Sequence, residues 1–302
     1  QDNLKTQNYM KRTLLLVTAA LSIGALGCKK TPDPTPGTAP TTLIPINISI
    51  PLTKVTDIAY ESGDVVGLFV VNDGSSLAAS GNHVNNEAFT FDGSAWKSGS
   101  DLYWKDNKTA ARFYCYYPRM ETITSVSEIP FTVKTDQSAQ ADYQASELLW
   151  GSRQNVSPTS DAVEISTTHR MSKLLVYIVP GNGYTAESLA QQNIEVSINN
   201  LKAGATLNLS DGELTATGSP VDITPNKAGD HYRALVPPQS LQDQTLISLK
   251  IGDYSFSLKE SLTLKSNTQH KVTITVNKVS EGINIGIGNW ETDDQDYGGT
   301  VN

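Results

Sequence analysis

The sequence predicts an all-β protein built from sandwich-like domains, and three observations carry that prediction. Short β-branched and aromatic runs recur along 302 residues. Gly, Pro, Asn and Asp punctuate them, and long amphipathic helical patterns are missing. The most apolar run beyond the N-terminal segment, His169 to Val179, has only Leu, Val, Ile and Tyr from Leu174 onward and stops at Pro180-Gly181-Asn182-Gly183. A run so short and β-branched reads as a buried strand covered on both faces, here the first strand of a second domain. The division expected is 1–27, 28–42, 43–168 and 169–302, the last two being β-sandwiches.

From the N-terminus, Met10-Lys11-Arg12 followed by Thr13 to Leu26 reads as a positive n-region and an apolar h-region, a secretory signal starting at Met10. It ends in Ala25-Leu26-Gly27-Cys28, which resembles a bacterial lipobox, with Ala25 where Leu is usual. Cys28 is therefore the expected lipidation site, and its diacylglycerol the expected tie to the outer membrane. Display at the cell surface is expected, with a periplasm-facing lipoprotein left open because Lys29-Lys30 stands where some surface-exported lipoproteins carry acidic residues. The segment KKTPDPTPGTAP, 29–40, is an extended Pro/Thr tether. With Cys28 acylated, Cys115 has no disulfide partner. Alternation in Phe113-Tyr114-Cys115-Tyr116-Tyr117 places its thiol beside Phe113 and Tyr117 as a buried structural group.

Ile44, Ile46, Ile48 and Ile50 alternate with polar residues, while Pro45 and Pro51 predict an edge strand. Val65 to Val71 follows as a strand. Phe89 to Trp96 is a hairpin arm turning at Asp92-Gly93. Leu102–Trp104, Ala111–Tyr117, Phe131–Val133, Leu148–Trp150 and Val163–Ile165 complete the first domain. Beyond the central run, Tyr184 to Gln192 is one short helical piece. Strands are expected at 194–198, 205–209, 232–236, 246–251, 254–258 and 272–276, then an apolar stretch through Ile283, Ile285, Ile287 and Trp290. The tail from Glu291 is acidic, Gly-rich and expected to be mobile.

The net charge is -8. An acidic chain without a basic cluster is unsuited to nucleic acid, since phosphate neutralisation needs gathered Lys and Arg. No nucleophile elbow, zinc-protease helix, phosphate loop or dinucleotide turn occurs. His83, His169, His231 and His270 lack metal-ligand spacing, so neither a metal nor a cofactor is expected. Trp96, Trp104, Trp150 and Trp290 could line a sugar platform, which keeps a glycan-binding outer-membrane lipoprotein as the alternative; core packing is the plainer reading of these four. Scattered carboxylates could still meet in the fold as a hydrolase pair.

Ordered motifs sharpen the reading. They run Thr53-Lys54-Val55-Thr56, Tyr60-Glu61-Ser62-Gly63-Asp64-Val65-Val66-Gly67-Leu68, Leu102-Tyr103-Trp104, Phe113 to Pro118, Asp136-Gln137-Ser138, His169-Arg170-Met171-Ser172-Lys173-Leu174 and Tyr232 to Gln239. This succession resembles the fimbrillin family, the lipoprotein pilin and pilus-anchor subunits of type V pili. The resemblance implies two tandem transthyretin-like Greek-key sandwiches and a structural, non-enzymatic subunit that joins other pilus subunits by β-augmentation. It also implies that a protease removes the first strand, here Ile44 to Ile50, and that a C-terminal strand of the next subunit replaces it. The donor candidate is Gly282 to Trp290, with Ile283, Ile285 and Ile287 on one face. The family often carries Arg at the cut. This chain has Lys54-Val55, and no Arg between Cys28 and Arg112, so an unprocessed anchor or terminal role stays open beside polymerisation.

Overall fold

The computed structural model describes residues 43–51 and 60–293. The segments holding Cys28, Lys54 and Val55 lie outside the described residues. The described residues fall in one compact unit.

In its N-terminal part the strands are β1 (Ile48–Ser49), β2 (Val65–Asn72), β3 (Val84–Phe91), β4 (Trp96–Ser98), β5 (Ala111–Tyr117), β6 (Ile129–Thr132), β7 (Leu149–Val156), β8 (Val163–Glu164) and β9 (Thr168–His169), with a helical turn α1 (Gln140–Gln144) before β7. The C-terminal part holds β10 (Ser172–Pro180), α2 (Ala186–Ala190), β11 (Ile194–Leu207), β12 (Leu214–Ile223), β13 (Asn226–Ala228), β14 (His231–Val236), β15 (Gln239–Ser240), β16 (Gln244–Ile251), β17 (Tyr254–Glu260), β18 (Thr263–Leu264), β19 (Gln269–Val279), β20 (Gly282–Ile287) and β21 (Glu291–Asp293). The all-β sandwich expectation holds.

One sheet runs β4-β3-β2-β5-β7-β9. Its two faces serve two cores, which the period of two along β5 makes plain. Phe113, Cys115 and Tyr117 join Val66, Leu68 and Val70 against Ile46 and Ile50. Tyr114 and Tyr116 turn the other way, with Phe69 and Val71, into the core shared with the C-terminal strands.

The C-terminal sandwich pairs a sheet ordered β13-β14-β10-β19-β20 with one ordered β12-β11-β16-β17. The central run is β10, antiparallel to β14 and parallel to β19, with Ser172 to Val176 buried. β6 leaves the first part of the chain and pairs antiparallel with Gly204–Leu207 of β11. Residues 129–132, expected in the N-terminal sandwich, thus build the C-terminal one, and the expected boundary at 168/169 falls within β9.

Two further differences have local causes. The expected strands 194–198 and 205–209 are one strand, β11, bulged twice, with Asn200 at φ 61 absorbing the kink. The tail expected to be mobile begins as β21, which pairs with the start of β19.

Candidate functional site

The stretch 43–51 is the N-terminal strand whose removal the sequence raised. It is not the edge strand that its prolines suggested. On one side Ile46 N donates to Leu102 O at 2.8 Å and Trp104 N donates to Ile44 O at 2.9 Å. On the other, Val163 N donates to Asn47 O at 2.8 Å and Ile165 N donates to Ser49 O at 2.9 Å. β1 and β8 run parallel, with Ile48 opposite Val163. The segment is antiparallel to Tyr103 through Pro45. Backbone groups of residues 44 and 46 face the 102–104 side, so those of Pro45 face the 163–165 side, before that partner begins. The missing N–H therefore costs no ladder bond, and proline is tolerated because at this point only the 102–104 side is paired.

Side chains follow the same alternation. Ile46 is 6 % and Ile50 2 % exposed, and Ile44 and Ile48 are half-buried against the same core. Pro45, Asn47 and Ser49 are exposed. Asn47 Nδ2 donates to Ser160 O at 2.9 Å and pins the middle of the strand. The strand thus fills a groove floored by Val66, Val70, Phe89 and Phe113. Taking four isoleucines out of it at 1.5–3 kcal/mol per fully buried side chain, with allowance for two being half-buried, costs on the order of 5–10 kcal/mol. That rivals the whole stability of a domain. A groove emptied of this strand has to be refilled or it opens.

The donor candidate occupies its own lodging. β20 pairs with β19 from Ile274↔Ile287 to Val279↔Gly282. Ile283, Ile285 and Trp290 pack half-buried on the larger core, while Ile287 is 54 % exposed. No residue of β20 is fully buried, in contrast to Ile46 and Ile50.

Other singled-out residues are structural. Trp104 is buried and its Nε1 donates to Thr159 O at 2.9 Å. Trp150 Nε1 donates to Leu209 O at 2.9 Å, and the Arg170 guanidinium lies 4.6 Å from its ring centroid. Trp96 meets Tyr60 edge-on at 4.8 Å. The four tryptophans are therefore spread through packing and build no common platform. His169 Nδ1 sits 2.9 Å from Glu147 Oε2 with both side chains buried. Among the described residues no group of three or more His, Cys, Asp or Glu is placed to hold a metal ion.

Sequence reasoning missed what Gln137 does. This fully buried residue donates from Nε2 to Leu235 O at 2.8 Å, and its Oε1 accepts from Leu235 N at 2.9 Å. One side chain thereby replaces a strand partner for Leu235 in β14, from a loop that enters beside α1. The only signal was its place in the Asp136-Gln137-Ser138 motif.

The chain resembles proteins of one kind. A family model described as fimbrillin-like matches residues 53–290. A candidate fimbrium subunit, Fim1C of Bacteroides uniformis, is 24 % identical over 302 aligned positions, covering 93 % of this chain and 96 % of that protein. A candidate fimbrium tip subunit, also Fim1C, of Bacteroides ovatus is 28 % identical over 58 % of this chain. The chain spans only 36 % of that relative's length. Among solved structures, a candidate cell adhesion protein of Bacteroides uniformis superposes with a TM-score of 0.65 at 20 % identity, over 85 % of this chain and 98 % of that one. Another, of Bacteroides ovatus, gives 0.66 at 17 % identity over 82 % and 96 %; both likenesses speak to the fold. With the family model covering nearly all of the sandwich region, the chain belongs to the fimbrillin-like family, and its role is that of a pilus subunit at the cell surface.

Proposed function

We propose that the chain is a terminal subunit of the pilus, exported and lipidated at Cys28, that accepts a strand from a neighbour where residues 44–50 now lie. It performs no catalysis and takes no cofactor. The supporting observation is the seating of 44–50 between 102–104 and 163–165, with Ile46 and Ile50 buried in the groove. A segment that completes a sandwich and is followed within a few residues by the Lys54-Val55 bond can be exchanged by one cut, and the exposed ladder groups and apolar groove then drive uptake of another strand. The docked state of β20 supports a terminal place, because a subunit whose donor candidate is engaged on its own sheet accepts without donating. Such a head-to-tail contact ends a fibre at this subunit. The tip description of the Bacteroides ovatus relative agrees with that place.

The test is to cut the purified protein with a Lys-specific protease, confirm a new N-terminus at Val55, and free it of residues 28–54. Thermal stability should fall steeply and return on adding a synthetic peptide of residues 43–51. If the trimmed protein keeps its melting temperature and binds no strand peptide, the acceptor reading is wrong. If Lys54 resists cleavage in the cell and the lipid on Cys28 is retained, the subunit is an anchor.

A further inference from the structure

A cleft among the described residues lies apart from both residues 44–50 and β20. It measures about 750 Å³ and lies on the outer face of β11, β16 and β17. Register places Ser197 opposite Ser248 and Ser248 opposite Ser257, with Glu195, Lys250 and Ser255 forming the neighbouring row. The intervening Val196 and Leu249 are buried and Phe256 packs against the core, so these six polar side chains face outward together. A wall rises beside β11, made by Thr224, Pro225, Lys227 and Tyr232. Behind that wall is a second recess of about 280 Å³, lined by Ile178, Leu189, Ala190 and the other side of Lys227 and Tyr232.

Charge is distributed unevenly here. Lys250 Nζ pairs with Glu195 Oε1 at 3.4 Å, and Asp230 Oδ1 holds His231 Nδ1 at 3.0 Å. Lys227 has no acidic partner among the described residues; its Nζ lies 5.7 Å from the Tyr232 ring centroid. The Lys227 ammonium, set between a hydroxyl-bearing floor and an apolar recess, suits the carboxylate of a small ligand carrying many hydroxyls. Serine hydroxyls both donate and accept, which suits vicinal sugar hydroxyls. The cleft has the size of a small-ligand site.

We infer that this cleft binds a carboxylated oligosaccharide, its carboxylate on Lys227 Nζ, its hydroxyls on the Ser248 and Ser257 side of the floor, and an apolar substituent such as an acetamido methyl in the recess beside Leu189. The full chain is titrated by calorimetry with sialyllactose, trigalacturonate and lactose. Sialyllactose or trigalacturonate binds, and lactose binds at least about tenfold more weakly. Lys227→Ala weakens the acidic ligand about tenfold and Lys227→Arg restores most of it, since one charge-assisted hydrogen bond is at stake. Ser257→Arg, at an exposed position, blocks the floor, and the distant Lys105→Ala changes nothing. Failure of both acidic sugars to bind at millimolar concentration overturns the inference. So does equal binding of lactose, or acidic-sugar binding that Lys227→Ala leaves untouched. None of these outcomes touches the strand-exchange reading, which is measured without sugar.

Discussion

Gln137 shows how much one side chain can hold. Truncating it leaves the N–H and C=O of Leu235 buried and unpaired. Gln137→Ala should therefore lower unfolding free energy by about 2–4 kcal/mol in a denaturant titration, since each stranded buried group costs about 1–3 kcal/mol. Cys115 is the opposite case, a reactive group kept inert. Burial pushes its thiol up from 9.0 to about 12. Native protein at pH 8 should react with a thiol reagent only as fast as it unfolds. The sign of the pH dependence follows: a raised folded pKa gives stability that is complete below 9.0 and is lost as pH rises from there toward about 12. A denaturation series across that window, compared with Cys115→Ala, reads the effect directly. The burial of Cys115 beside Phe113 was legible from alternation alone, whereas the work of Gln137 was not, because its partner is 98 positions away.

At the scale of elements, the N-terminal strand and β20 make a contrast that substitution resolves. Ile50→Ala should cost about 2–5 kcal/mol as a large-to-small change in a closed core. Ile287→Ala, on a half-open edge, should stay within about 0.5 kcal/mol. Equal losses measured by urea unfolding would mean that both strands are equally embedded. The alternating isoleucines identified the strand and its inward face, yet the prolines misplaced it at an edge. Proline forbids only a donor, and which side that donor would face depends on where neighbouring strands begin. The same limit hid β11, whose bulges, one through Asn199 and Asn200 and one between Lys202 and Gly204, read as a break between two strands. Periodicity reports a face and a phase. It cannot report that β6 pairs with β11, where Ile129 meets Leu207 and Thr132 meets Gly204.

For the molecule as a whole, the crossing of β6 and the two-faced sheet bind the sandwiches into one cooperative structure. The larger core takes Phe69, Tyr114 and Tyr116 from one part and Leu174, Leu235 and Val272 from the other. Calorimetry should give a single transition, and a fragment of residues 169–302 should stay unfolded, lacking β6, Gln137 and Tyr143. Two resolved transitions, or a folded fragment by near-ultraviolet dichroism, would contradict this. The seat of residues 44–50 has a consequence for partner choice as well. Its neighbours run in opposite senses, so a substitute must thread in a single direction. It must also present apolar side chains at four successive alternate depths, where Ile44, Ile46, Ile48 and Ile50 now sit. The chain's own C-terminal segment carries three in phase, Ile283, Ile285 and Ile287, and Trp290 falls out of step. Under the proposed strand exchange a copy of this protein would be a poor key for its own lock, and mixed chains would be favoured over runs of identical ones.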